Sequence, residues 1–260
     1  MPENGETTIL TIIGDPFSDD YEVVDGPIRR PEPPIPDTRD AETIERTAKE
    51  FRAIMAVARG IAKKEPAALV QLVALLGRKI QADYIDRVLI TTKPGVEYPH
   101  PADLWFDRGL PLTRDGQTLR EVRKQSERQI RVRLASDPIW TAPWCRQRLI
   151  NTLSEIGKGR PRGKWQEDRH NHFVVAWLPI GIACVGNGFH SITTGIALGQ
   201  GTVRAEEVYD ISAVYRYVKC NGRQFIRKWD GASLGPVLSP HAAAIFEIGR
   251  LMVRHKISAW

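Results

Sequence analysis

Cysteine is scarce in this 260-residue chain: there are three, Cys145, Cys184 and Cys220, and no C-x-x-C pair. Scattered thiols in that number build neither a disulfide framework nor a thiolate zinc site, so they are expected to be reduced and mostly buried. Long apolar runs are missing as well. The stretch Ala67 to Leu76 is interrupted by Gln71 and falls far short of the roughly 20 residues that cross a bilayer. The chain opens without a basic block followed by an apolar one, the pattern of a secretory signal. These absences point to a cytoplasmic protein with no membrane partner. Repeats are not visible either. What is present is 42% hydrophobic residues in a length that buries a full core, as one large domain or two small ones.

Charge is unevenly spread. Residues 1–40 hold ten acids against Arg29, Arg30 and Arg39, a net −7, which leaves 34 basic and 21 acidic residues, a net +13, for residues 41–260. A basic body of that kind favours nucleic acid or nucleotide phosphates; the plain alternative is a solvated surface. The first forty residues also carry seven prolines, which prevent a sustained helix. Residues 1–39 therefore read as an acidic, Pro-rich arm: a solvated tail, a polyanion mimic laid on the basic body, or a dock for a protein partner.

Residues 40–135 read as a helical region. Asp40 or Thr43 caps a first helix with Phe51, Ile54, Met55 and Val57 on one face, stopped at Gly60. Pro66 opens a second, with Leu69, Leu72, Val73, Leu75 and Leu76. The stretch Ala82 to Thr92 has mixed helix or strand character, and Lys93 to Thr113 reads as loop, with Trp105 and Phe106 tucked onto the helices. Residues 116–135 are the most charged helix candidate. Arg120, Arg123, Lys124 and Arg131 on its polar side are candidate nucleic-acid contacts.

The second half, 136–260, reads as an α+β domain with a small mixed sheet and helices. A short helix Arg146 to Ile156 and a basic Gly-rich loop, Lys158 to Lys164, precede two β runs, Phe173 to Pro179 and Ile180 to Val185. The stretch GNGFHSITTGIALGQG, residues 186–201, follows them and leads into a short helix, Ser191 to Leu198. Val203 to Ile211 reads as a further strand. A hairpin turns at Asn221-Gly222, and a last helix runs from His241 to His255.

Strand, glycine turn, helix is an arrangement that suits an anion. Glycine permits positive φ and close approach to the main chain, and the first helical turn presents unpaired amides with the positive end of the dipole. His190 adds a hydrogen bond or a charge, and Ser191, Thr193 and Thr194 add hydroxyls; alternatively Ser191 is only the N-cap and the histidine is packed. Two other patterns compete. Arg169-His170-Asn171-His172 invites comparison with HNH nucleases, but the second histidine at a helix end is represented only by His190. Asp168, His170, His172 and His190 gather on one divalent metal only if the hairpin brings them together, so no metal is assigned. Glu206, Glu207 and Asp210 supply carboxylates for a general base, or Asp210 to Ser212 is a capping turn.

From Pro143 to Ala197 the chain resembles the ParB/sulfiredoxin-like superfamily. The matching residues are Pro143 to Ile156, the hairpin Phe173 to Val185, and Asn187-Gly188-Phe189-His190-Ser191 followed by Gly195 and Ala197. The resemblance implies a nucleoside triphosphate with Mg2+ at that turn. On it, Gly186, Asn187, Gly188, His190, Ser191 and Thr193 would face phosphates, with Arg146 or Arg148 as partners. It further implies a nucleotide hydrolase or nuclease of a bacterial mobile-element or defence system, with His190 and Asp210 as catalytic candidates. The departures weaken catalysis more than binding. Ser191 stands in place of an arginine, Asn187 in place of an aspartate, and Phe189 in place of the cysteine that sulfiredoxin chemistry needs. The alternative functions are a DNA- or RNA-binding module using 116–135, or an interaction factor docking through the arm.

Overall fold

The computed structural model describes residues 37–90 and 103–260. Helix α1, Ala41–Lys64, starts at Asp40, whose carboxylate accepts the Thr43 amide at 2.6 Å. It does not stop at Gly60. The stripe Phe51, Met55, Ala58 and Ala62 stays buried through that position, and tertiary packing of this kind outweighs the roughly 1 kcal/mol helix penalty of one glycine. Pro66–Ala68 forms a 3-10 turn, and α2, Leu69–Ile90, follows as one uninterrupted helix. Its buried positions, Leu69, Val73, Leu76, Ile80, Tyr84 and Val88, hold helical spacing to the end, which settles the mixed character of the stretch after Ala82 in favour of helix.

The segment expected to be a long basic helix is built differently. Only α3, Leu119–Val122, is helical, closed by a capping box between Thr118 and Glu121. Strand β1, Lys124–Gln125, and strand β2, Arg131–Arg133, follow. The reason lies in the apolar pattern. Ile130, Val132 and Leu134 are buried while Arg131 and Arg133 between them are exposed, an alternation of period two that only a strand satisfies. The four cationic candidates therefore do not share a helical face. Arg123 lies over the Tyr209 ring at 3.6 Å, Lys124 is on β1, and Arg131 donates to Thr202 Oγ1 at 3.0 Å. Arg120 is half-buried in the short α3.

Strand β3, Ile139–Trp140, leads to helix α4, Arg146–Glu155. Strands β4, Phe173–Leu178, and β5, Ile182–Asn187, form an antiparallel hairpin running into helix α5, Phe189–Leu198. The expected strand 203–211 is broken at Ala205-Glu206 into β6, Thr202–Arg204, which pairs with β2, and β7, Glu207–Asp210, which pairs with β1 and β4. Strands β8, Val218–Cys220, and β9, Gln224–Arg227, make the hairpin anticipated at Asn221-Gly222, with β10, Ser233–Pro236, beside β9. Helix α6, Pro240–Arg254, is capped by the Ser239 hydroxyl, which accepts the Ala242 amide at 3.2 Å.

The main sheet has the order β1-β7-β4-β5-β3, with β7 parallel to β4 and β3 parallel to β5. It is mixed, and the chain is an α+β protein with a helical N-terminal half and sheets in the C-terminal half. Residues of β4 alternate between two cores. Val175 and Trp177 face α1, α2 and α6 together with Phe246 and Phe225, whereas Val174, Ala176 and Leu178 face α5 and the β2–β6 pair with Ile192 and Val203. Trp105 and Phe106 are buried as expected, Trp105 donating to the Ala242 carbonyl at 3.1 Å. Residues from both sides of position 135 thus share one core. Arg39 of the acidic arm donates to the Val237 carbonyl at 2.5 Å; what the sequence leads one to expect of residues 1–36 and 91–102 lies outside the described residues.

Candidate functional site

Helix α5 starts on Gly188, which sits at φ 83° and ψ 19°. A Cβ there would stand 2.6 Å from His172 Cδ2 and 2.9 Å from the Asn171 carbonyl oxygen. Glycine is required on both counts, and it leaves the first-turn amides of α5 without a side-chain cap. Other glycines of the stretch serve packing. Trp165 fills the space against Gly195 and Gly201, where an added Cβ would meet its indole at 3.0 and 2.2 Å.

Two histidines flank this helix start, and each is fixed by a main-chain amide. Cys145 N donates to His190 Nε2 at 3.1 Å, and Asp168 N donates to His172 Nδ1 at 3.0 Å. An imidazole nitrogen that accepts carries no proton, so the hydrogen-bond pattern assigns the proton to Nδ1 in His190 and to Nε2 in His172. His172 Nε2 lies 3.0 Å from Ser191 Oγ and donates to it. Trp165 stacks on the His172 ring, centroids 5.0 Å apart and 10° between planes, and its Nε1 donates to the Ser191 carbonyl at 2.8 Å. Burial pushes the pKa of both histidines below the ordinary value; the Arg148 charge adds to this at His190, while Asp168 and Glu167 oppose it at His172. Both shifts favour the neutral ring.

An open cavity of about 510 Å³ lies between α4, the loop 156–172 and the start of α5. His190 is only 8% exposed, yet it lines this cavity, and its Nδ1–H has no hydrogen-bond partner among the described residues. Arg148 lines it too. Its guanidinium rests over the Trp144 ring at 4.7 Å and forms no ion pair among the described residues, so its donors remain available. Trp144, 51% exposed, meets His190 edge to face at 5.5 Å. Arg162 and Lys164 add positive charge to the wall, and Glu155, Glu167 and Asp168 add negative charge. Part of the latter is already used: Glu167 accepts the Arg204 amide at 2.5 Å, Asp168 accepts the His170 amide at 3.1 Å, and Glu155 faces Arg162 at 3.8 Å.

Of the phosphate-site candidates read from sequence, Asn187, Gly188, His190, Ser191 and Arg148 line the cavity, and so do Asp168 and His172 of the metal candidates. The remaining phosphate and catalytic candidates lie elsewhere. Gly186 is within β5. Thr193 is 1% exposed and faces inward, donating to the Phe189 carbonyl at 2.7 Å and lying 3.3 Å from Thr141 Oγ1. Arg146 is turned the other way, onto the last carbonyls of α2, at 3.3 Å from Val88 O and 2.8 Å from Leu89 O. Asp210 pairs with Leu178 at one end of β4, whereas Asn187 pairs with Phe173 at the other. Five residues of strand separate the two ends by about 16 Å, and the Asp210 carboxylate accepts the Ser212 amide at 2.7 Å. Its place is the capping turn, apart from His190. Among the described residues no group of three His, Cys, Asp or Glu side chains is placed to hold a metal ion.

The sequence reading assigns neither Trp144, Trp165, Arg162 nor Lys164 to the site; the basic Gly-rich composition of 158–164 is a signal for the arginine and the lysine alone. No helix among the described residues is long and apolar enough to cross a membrane. Fold and cavity together define an α+β protein with a ligand-sized hollow at a helix start. The chain belongs to a family of unknown function, DUF6710, whose model matches residues 37–259. No curated protein matches the chain, and no solved structure does.

Proposed function

We propose that this cavity binds the phosphate of a nucleotide. The carrying observation is His190, whose Nε2 is filled by the Cys145 amide and whose Nδ1–H has no partner among the described residues, in the cavity wall beside Arg148, which forms no ion pair among them. An anion at this point accepts from that donor and faces the start of α5, which has no side-chain cap and carries the positive end of the helix dipole. Arg148 supplies from α4 the guanidinium fork that Ser191 does not. Trp144 offers the exposed ring on which a base stacks. The order short helix, hairpin, glycine turn, helix supports the ParB/sulfiredoxin-like reading of the same segment.

Binding is the role we assign, in preference to hydrolysis. A general base needs a free accepting nitrogen near the proton it removes. His172 donates to Ser191 and accepts from Asp168, and His190 accepts from Cys145, so neither ring offers one.

The test is a thermal-shift series with the four common nucleoside triphosphates and inorganic phosphate, each with and without Mg2+. At least one nucleotide is expected to raise Tm, and Arg148→Gln to weaken its binding about tenfold or more, as loss of a charge-assisted bond implies. A full set without any shift, or a shift that Arg148→Gln leaves unchanged, overturns the reading.

A further inference from the structure

We propose that the nucleotide taken by this cavity belongs to a single-stranded polynucleotide, whose next phosphates run over the loops beside it; the inference rests on the phosphate reading above. A pocket for a free nucleotide needs charge only where the phosphates sit. Here the charge continues past the cavity. The loop after α4 folds back on itself, with Gly157 N donating to Gly163 O at 2.6 Å and Arg162 N to Glu155 O at 2.8 Å. This holds Lys158, Arg162 and Lys164 on one short turn. Arg162 and Lys164 line the cavity. Lys158 stands outside it, and Arg169 is exposed on the following loop. Lys158, Lys164 and Arg169 form no ion pair among the described residues.

Two features select a single strand. An exposed tryptophan at a cavity mouth is a stacking platform, which an unpaired base reaches and a base inside a duplex does not. The chain from residue 41 onward carries a net +13, so a polyanion gains from counterion release where a lone nucleotide gains little.

The probe is a fluorescein-labelled 12-nucleotide oligothymidylate with a 5′-phosphate, followed by anisotropy across a salt series, alongside the mononucleotide and the same strand annealed to its complement. The single strand is expected to bind at least tenfold tighter than the mononucleotide, and the duplex more weakly. Trp144→Ala is expected to cost about tenfold. The double variant Lys158→Gln/Arg169→Gln, which changes neither Arg148 nor His190, is expected to reduce the slope of log affinity against log salt by about 1.4 and to leave the mononucleotide thermal shift intact.

If the mononucleotide binds and the strand binds no tighter, this inference fails and the phosphate site stands. If the strand binds but Arg148→Gln and Trp144→Ala do not weaken it, the strand sits elsewhere and the inference fails. A duplex bound as tightly as the single strand overturns it as well, and binding of neither probe overturns both readings.

Discussion

The main-chain amide of Cys145 donates to Nε2 of His190 across 3.1 Å, tying the residue before α4 to the second residue of α5. One ring therefore joins the two helices that form opposite sides of the cavity. Replacing His190 by alanine leaves the Cys145 amide without its partner and opens a void beside Trp144. The expected cost is about 1–3 kcal/mol of stability, read as a lower midpoint in urea. Arg148→Gln, at an exposed position, is expected to keep that midpoint, so the two variants separate scaffold from ligand contact.

Acid should loosen the same corner. Both histidines are held below their ordinary pKa, chiefly by burial, so between the folded and unfolded values the unfolded chain binds more protons. Stability from the neutral rings is fully present above about pH 6.5 and is lost as pH falls through the lowered folded values. Protonation at His172 Nδ1 also removes the acceptor of the Asp168 amide. Thermal midpoints measured from pH 8 to pH 5 should fall in the acid half of the range, and His172→Gln should fall less steeply. Identical profiles for the two proteins would contradict this account.

Gly188 and Gly60 should respond in opposite directions to alanine. At Gly188 the positive φ and the 2.6 Å approach of His172 leave no place for a methyl group, and a loss of at least about 1–3 kcal/mol is expected. At Gly60, inside α1, an added Cβ meets nothing within 4 Å, and up to about 1 kcal/mol of stabilisation is expected. Chemical denaturation of the two single variants decides the signs.

The cysteines should differ in reactivity. Burial pushes the Cys184 and Cys220 thiols up to about 12, which keeps them protonated near neutrality. Brief alkylation of the native protein at pH 8 should label Cys145 first, as mapped by peptide mass, and a bound nucleotide should slow that labelling. Labelling of Cys184 ahead of Cys145 would count against the burial described.

Much of the scaffold was readable because its causes are local. The Asp40 cap, the stripe from Phe51 to Met55 and the Asn221-Gly222 turn each need only a few neighbouring residues. The stretch 116–135 looks helical by its charges, but its apolar period is that of a strand: Ile130, Val132 and Leu134 repeat every second residue. In the site, the sequence alone does not choose between Arg146 and Arg148, although residues two apart on a helix point about 200° from each other. Only packing shows that Arg148 faces the cavity and Arg146 the end of α2. Trp165 had no readable signal, because its seat on Gly195 and Gly201 lies 30 or more residues along the chain and is made only by folding.

Adjacent residues of β4 look into separate chambers, Val175 toward the large helices and Ala176 toward α5. A change of side-chain volume at Ala176 must therefore be absorbed by Ile192, Val203 and the rest of the α5 chamber, while the helical wall behind the sheet keeps its fit.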